Sequence, residues 1–403
     1  MSRRRIKGPA RHHKRRYVEA PISSDFYALQ EQYPDEASAE TYFTDKRWPE
    51  GPRCTDCGSG DVYDGKSKRK HTQWKCRKCG KQFTVMSGTV MESTKIPLRK
   101  WLFAFHLMGG ARHGLSTRYL ARQLGITLKS AWHLTHRIRA TMRQNDQKFT
   151  GVVETDETYI GGRRKKVGRG YRKNKIAVQT IVQRPKRRRY GLKDGHGRYT
   201  EPEQAGQAQT IALDPLAERV DGRTVGAKLR MHTDPSKTVL MTDESPIYAK
   251  VGESFKEHHT VNHKREDYAH IADDGHLVHT NTAEGLFANL KRQITGTHHS
   301  TSKKHLPRYL EEYDHKYNNR NKTDLQITEE AIRNMEGRRV TLFKRKSGEG
   351  DSLIDTKQGE KRDHGTKRGS GDHERTGKKK EAPPAAPSPS EEARKRGERG
   401  GGQ

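Results

Sequence analysis

The sequence predicts a multidomain α+β protein: a cysteine-bearing N-terminal module with a set of helices, then a mixed α/β domain, then a disordered tail. Three observations carry this expectation. All four cysteines fall into two Cys-x-x-Cys pairs, Cys54/Cys57 and Cys76/Cys79; apolar residues between 97 and 145 recur at helical spacing; and strand-like and helical runs alternate from 150 to 345.

In chain order, residues 1–22 form a basic arm (Arg3, Arg4, Arg5, Lys14, Arg15, Arg16) without apolar periodicity, expected to be disordered. The segment 23–90 opens with Tyr27, Leu29, Tyr33, Tyr42 and Phe43, which predict one or two short helices, followed by strand-like stretches near Tyr63 and Trp74. Eighteen residues separate the cysteine pairs, the spacing of a zinc ribbon. Four thiolates on two tight turns, helped by Gly58 and Gly80, suit tetrahedral Zn²⁺ and leave no open position, so the expected role is structural.

Between 97 and 145, Trp101, Phe105 and Met108 share a stripe, and Gly109-Gly110 reads as a break. A second helix is expected from Ser116 as N-cap to Gly125. A third runs from Leu128 to Met142, with Ala131, Leu134 and Ile138 on one face and Lys129, His133, His136, Arg137 and Arg139 elsewhere. This pair reads as a helix-turn-helix, whose second helix would present Thr127, Lys129, Ser130, His133 and Arg137 to DNA.

In 150–345, strands are expected at 152–153, 176–182, 209–213 and 239–241, and helices at 281–293 and 303–319. The basic loop holding Arg163, Arg164, Lys165 and Lys166 is either a phosphate clamp or a solvated hairpin. Arg184 to Arg189 reads as a basic loop, and the pairs His258-His259 and His298-His299 as surface or DNA-facing residues without a third metal ligand at sensible spacing. Residues 346–403 are nearly free of large apolar side chains and are expected to be a disordered low-complexity tail.

The formal net charge of +31 points to a polyanionic partner, with nucleic acid foremost. No apolar run approaches the length of a membrane span, and the N-terminus lacks a signal-peptide core, so a cytoplasmic, nucleoid-associated protein is expected.

The chemistry resides in carboxylates. Asp156 and Asp243 each follow a β-prone run, and Glu284 and Lys291 lie two helical turns apart on one face. Such a set suits two divalent cations acting on a phosphodiester, because Mg²⁺ and Mn²⁺ prefer hard oxygen donors. With these residues go Val-Glu-Thr-Asp156-Glu-Thr-Tyr-Ile-Gly-Gly, Thr-Asp243-Glu and Asn281-Thr-Ala-Glu284-Gly-Leu-Phe-Ala-Asn-Leu-Lys291-Arg. In these strings, and in its ribbon and helix-turn-helix, the chain resembles the ISXO-like insertion-sequence transposases of the DDE superfamily over residues 25 to 340.

The resemblance implies an RNase H-like catalytic domain in which Asp156 bridges two Mg²⁺ (or Mn²⁺) ions, Asp243 and Glu284 complete their shells, and Lys291 contacts the transposon end. It offers Asn281 as an alternative to Glu284, and charge favours the glutamate. It also implies double-stranded DNA as partner, both transposon ends and target, and a homo-oligomer assembled on that DNA. The competing readings are a non-catalytic DNA-binding regulator and an RNase H-like nuclease.

Overall fold

A computed structural model of the chain describes residues 25–65, 71–144, 148–161, 175–184, 206–213, 220–262, 269–273, 276–343 and 352–357. The expected basic arm, the loop with Arg163, Arg164, Lys165 and Lys166, and most of the tail lie outside these residues.

Helix α1 (Phe26–Gln32) starts at Asp25, whose carboxylate accepts from the Ala28 amide, and α2 (Glu36–Arg47) starts in a capping box between Asp35 and Ser38. Strands β1 (Val62–Asp64), β2 (Trp74–Cys76) and β3 (Gln82–Phe83) form a small antiparallel sheet. Beneath it Trp48 meets Trp74 and Phe83 edge-on at 5.4 and 5.8 Å.

Helix α3 (Leu98–Gly110) is buried nearly all round, as its apolar residues require, and is the centre of the N-terminal core. Gly109 and Gly110 do not break it. They form its last turn, where a Cβ on Gly109 would stand 2.6 Å from Thr328 Oγ1; their smallness admits helix α10 (Asp324–Arg333). Ile332, Ala331 and Met335 join this core together with Val340 of strand β11 (Arg338–Phe343), so residues expected within the α/β domain pack on the N-terminal helices. An apolar helix needs cover on every side, and the 327–335 stripe supplies it.

Part of the expected tail is among the described residues. Ser352–Lys357 pairs antiparallel with β11 as strand β12, Arg338 facing Lys357 and Phe343 facing Ser352.

Helices α4 (Thr117–Leu124) and α5 (Leu128–Thr141) join through Gly125, left-handed at φ +56°, and Thr127, whose hydroxyl caps the Ser130 amide. Beyond its first turn α5 is buried on nearly every side. Arg137, expected to face DNA, is interior together with His136 and Arg139, because α5 runs between α3, β11 and helix α9 (Leu306–Asn318).

The central sheet has the order β6-β5-β4-β7-β8. Strands β4 (Phe149–Ile160), β5 (Ile176–Gln183) and β6 (Ala208–Ala212) are antiparallel, while β7 (Thr233–Asp243) and β8 (Glu257–Val261) run parallel to β4. One face packs through Ile160, Val178 and Val182 on α8 (Asn281–Arg292) and α9; the other packs through Val153, Ile181 and Leu240 on α6 (Gly222–His232) and α7 (Pro246–Gly252). Helix α9 also covers the β6 edge, where Asn318 Oδ1 and Asp314 Oδ2 accept from the amides of Ala208 and Thr210 at 2.7 and 2.6 Å. Side-chain acceptors thus occupy the row of donors that an edge strand exposes.

Candidate active site

Two centres stand apart in the chain. In the first, each cysteine pair closes a tight knuckle: the Gly58 amide bonds the Cys54 carbonyl and the Gly80 amide bonds the Cys76 carbonyl, with both glycines left-handed at φ +71° and +73°. The four sulfurs converge, Cys54 to Cys79 at 3.5 Å and Cys57 to Cys76 at 3.7 Å. Four sulfurs each about 2.3 Å from one tetrahedral ion stand about 3.8 Å apart, so the set fits Zn²⁺.

The second centre lies on the large sheet. Successive strand residues alternate between faces, so Glu154, Asp156 and Ile160 share the face covered by α8, and Val153 and Glu157 take the other. On β7, Leu240 packs toward α6 and α7, which puts Met241 and Asp243 on the α8 side. The parallel register pairs Glu154 with Met241; two residues further on both strands come Asp156 and Asp243. The two aspartates therefore occupy neighbouring positions on one face. Asp156 does not end its strand, as β4 continues to Ile160 against β5; it stands just past Glu154, the last residue of β4 paired with β7. Asp243 does end β7, and its Oδ1 accepts from the Ser245 amide at 3.1 Å.

Glu157 reports the charge collected here. Burial pushes its carboxyl up to about 7, the Tyr248 hydroxyl works against that rise by donating to it, and the negative charges of Asp156 and Asp243 add to it. Such a concentration of carboxylate oxygen suits hard divalent cations.

Helix α8 approaches the same face through Ala283, Leu286 and Leu290. Asn281, Glu284 and Lys291 all lie on its exposed side, with the small Gly285 and Ala288 between them. Glu284 and Lys291 point in nearly the same direction at the border of the buried stripe, and Asn281 lies about 60° further round. Among the described residues, the cysteines are the one group of three or more metal-capable side chains whose ligand atoms fall within 4.8 Å of one another; the side chains of Asp156, Asp243 and Glu284 are not drawn together to that degree.

The expected DNA-facing residues separate. Thr127 and Lys129 are exposed and Ser130 is half-buried at the α4–α5 turn. His133 and Arg137 instead turn to the Val340 carbonyl, each at 3.3 Å, and Arg137 also donates to the Glu92 carbonyl. His258 meets Thr242 at 2.8 Å, and His298 meets the Tyr309 ring edge-on. Glu154, Glu157 and Tyr248 carry no local signal in the sequence, and Arg184, expected in a basic loop, is bound to Glu154. Alternation alone would have put Glu154 beside Asp156, but its partners lie 30 to 129 residues away.

Four clustered thiols ahead of an α/β sheet with paired aspartates define a zinc-ribbon protein with an acidic site on its sheet. Residues 148–318 match the ISXO2-like transposase domain and residues 34–82 match the transposase zinc-ribbon domain. The chain thus carries an ISXO2-like transposase domain behind a transposase zinc ribbon. It is also similar to a protein of Halobacterium salinarum described as an uncharacterized protein in transposable element ISH50, 25% identical over 287 residues, which are 69% of this chain and 89% of that protein. Among the described residues no helix is long and apolar enough to cross a membrane.

Proposed function

We propose that the chain is a DNA transposase that binds the terminal inverted repeats of an insertion sequence, cleaves the DNA at the element's end and joins it to target DNA. The observation that carries this reading is the placement of Asp156 and Asp243 side by side on the face to which α8 brings Glu284. The sheet, three antiparallel strands followed by two parallel ones, supports an RNase H-like catalytic domain.

In this reading Asp156, Asp243 and Glu284 hold two divalent cations of Mg²⁺ or Mn²⁺ type, which supply positive charge at the attacked phosphate and make water a stronger nucleophile near neutral pH. Lys291, two turns along the stripe from Glu284, holds the phosphate backbone of the transposon end. The ribbon and the α4–α5 pair recognise the end, with Lys129 and Ser130 in the first turn of α5 nearest the bases. His133 and Arg137 support that turn from inside, and the loop with Arg163, Arg164, Lys165 and Lys166 adds positive charge. Cleavage and joining are displacements at one site by water and then by the freed 3′-hydroxyl, so no covalent protein intermediate is needed. The active form is a homo-oligomer on paired ends, working at the nucleoid.

The test is Mn²⁺-dependent cleavage and joining of the element's own end DNA by the wild-type chain and by Asp156→Asn. Loss of both reactions with retained end binding is expected. Equal activity in the variant would sink the site, and cleavage without joining would make the protein a nuclease.

A further inference from the structure

Glu154 lies two residues before Asp156 on the same strand face, fully buried, and both of its oxygens are engaged. Oε2 accepts from the backbone amides of Thr282 and Ala283 at 2.9 and 3.1 Å. Oε1 accepts from the Thr282 hydroxyl at 2.8 Å and from Arg184 Nε at 2.5 Å, with His279 Nδ1 at 3.2 Å.

The amides of Thr282 and Ala283 belong to the first turn of α8, where no carbonyl of the helix reaches them. A helix usually satisfies these donors with the residue just before it, but Thr280 makes no such side-chain bond. A carboxylate from β4 takes its place. Paired with Arg184, this carboxylate stands at the positive end of the helix. Arg184 extends the tie by donating to the carbonyls of Leu277 and His279, which fixes the strand leading into α8.

We propose that Glu154 is the positioning residue of this active site: it caps α8 from the strand that carries Asp156, and so sets where Glu284 and Asn281 stand relative to Asp156 and Asp243. With every lone pair committed to the helix entry, Glu154 is not a metal ligand. The proposal rests on the catalytic reading above. The tie is short, with two residues of β4 on one side and one or two of α8 on the other. A shift of about 1 Å in a catalytic group costs on the order of a hundredfold in rate.

Glu154→Gln in the full-length chain tests this, because the amide keeps the shape but offers one oxygen where both carboxylate oxygens now accept. Three quantities are measured: amide exchange over 281–290, affinity for end DNA, and the Mn²⁺ dependence of end cleavage. Expected are faster exchange at 281–285, a rise of about tenfold in the Mn²⁺ needed for half-maximal rate, and a fall of about 10- to 100-fold in maximal rate, with end affinity unchanged. Thr282→Ala, which removes only the hydroxyl donor, shifts the same quantities by about threefold and carries the test if Glu154→Gln does not fold.

Unchanged exchange and unchanged Mn²⁺ dependence in a folded variant overturn the proposal, whatever happens to the rate. Asp156→Asn separates the two ideas. An active Asp156→Asn removes the catalytic reading, whereas an inactive one beside a wild-type-like Glu154→Gln removes only the positioning role.

Discussion

Arg139 on α5 donates from Nε to Glu312 Oε2 on α9 across 2.6 Å, and solvent reaches neither side chain. Lys316 bonds the other Glu312 oxygen at 2.6 Å and also the Ala111 carbonyl just after α3, while the Arg139 guanidinium lies over the Tyr309 ring. One anion thus joins α5, the end of α3 and the helix that guards the sheet edge.

Glu312→Ala strands two buried cations and is expected to cost about 3–5 kcal/mol in urea unfolding. Replacing Arg139, Glu312 and Lys316 together with apolar residues of similar volume is expected to cost far less. The two cations hold the Glu312 carboxyl well below its ordinary value despite burial. Its contribution is therefore full at neutral pH and is lost as pH falls below the ordinary glutamate range, so the wild type approaches Glu312→Gln in stability on acidification.

Asp314, two residues on, behaves oppositely. It is buried beside the Thr210 amide, among the described residues no cation pairs with it, and burial raises its carboxyl well above the usual aspartate value. The stability it permits is present below the ordinary aspartate range and declines as pH rises. Asp314→Asn keeps an acceptor for Thr210 and does not titrate. Its melting temperature should match the wild type near pH 4 and exceed it increasingly toward pH 8, and an unchanging difference would contradict this assignment.

Purified protein should hold one zinc per chain at the ribbon, measured by elemental analysis, and Cys76→Ser should lose it. The apolar cluster of Trp48, Trp74 and Phe83 is too small to hold three strands of two or three residues without the metal. Chelation is expected to abolish end binding and to leave the α/β sheet folded.

The choice between Glu284 and Asn281 is decided by comparing Glu284→Gln with Asn281→Ala in end cleavage. Glu284 points along the same line as Lys291 and carries the charge, so its loss should lower the rate by about a hundredfold or more. Asn281→Ala should lower it by less than about tenfold. The reverse order would move the ligand to Asn281.

The features legible in the sequence are those written in neighbouring residues. The cysteine knuckles, the Gly125 turn, the strands holding Asp156 and Asp243, and helix α8 each carry a local pattern of spacing or caps. Hidden features depend on encounters across the chain. Glu154 reads as one more polar residue in a strand until Thr282 and Ala283 reach it, and Arg139 reads as part of a solvated face until Glu312, 173 residues later, closes over it. The basic look of α5 misled for this reason: charged side chains indicate a surface only while their counter-ions are unknown.

The return of α10 to α3 makes the N-terminal module discontinuous. Residues 324–340 complete a core that begins before residue 30, and the whole sheet is an insertion within it. A polypeptide released by the ribosome anywhere before residue 324 would bear every cysteine and both α4 and α5, yet would leave α3 uncovered. The N-terminal core therefore closes only after synthesis has passed the whole sheet.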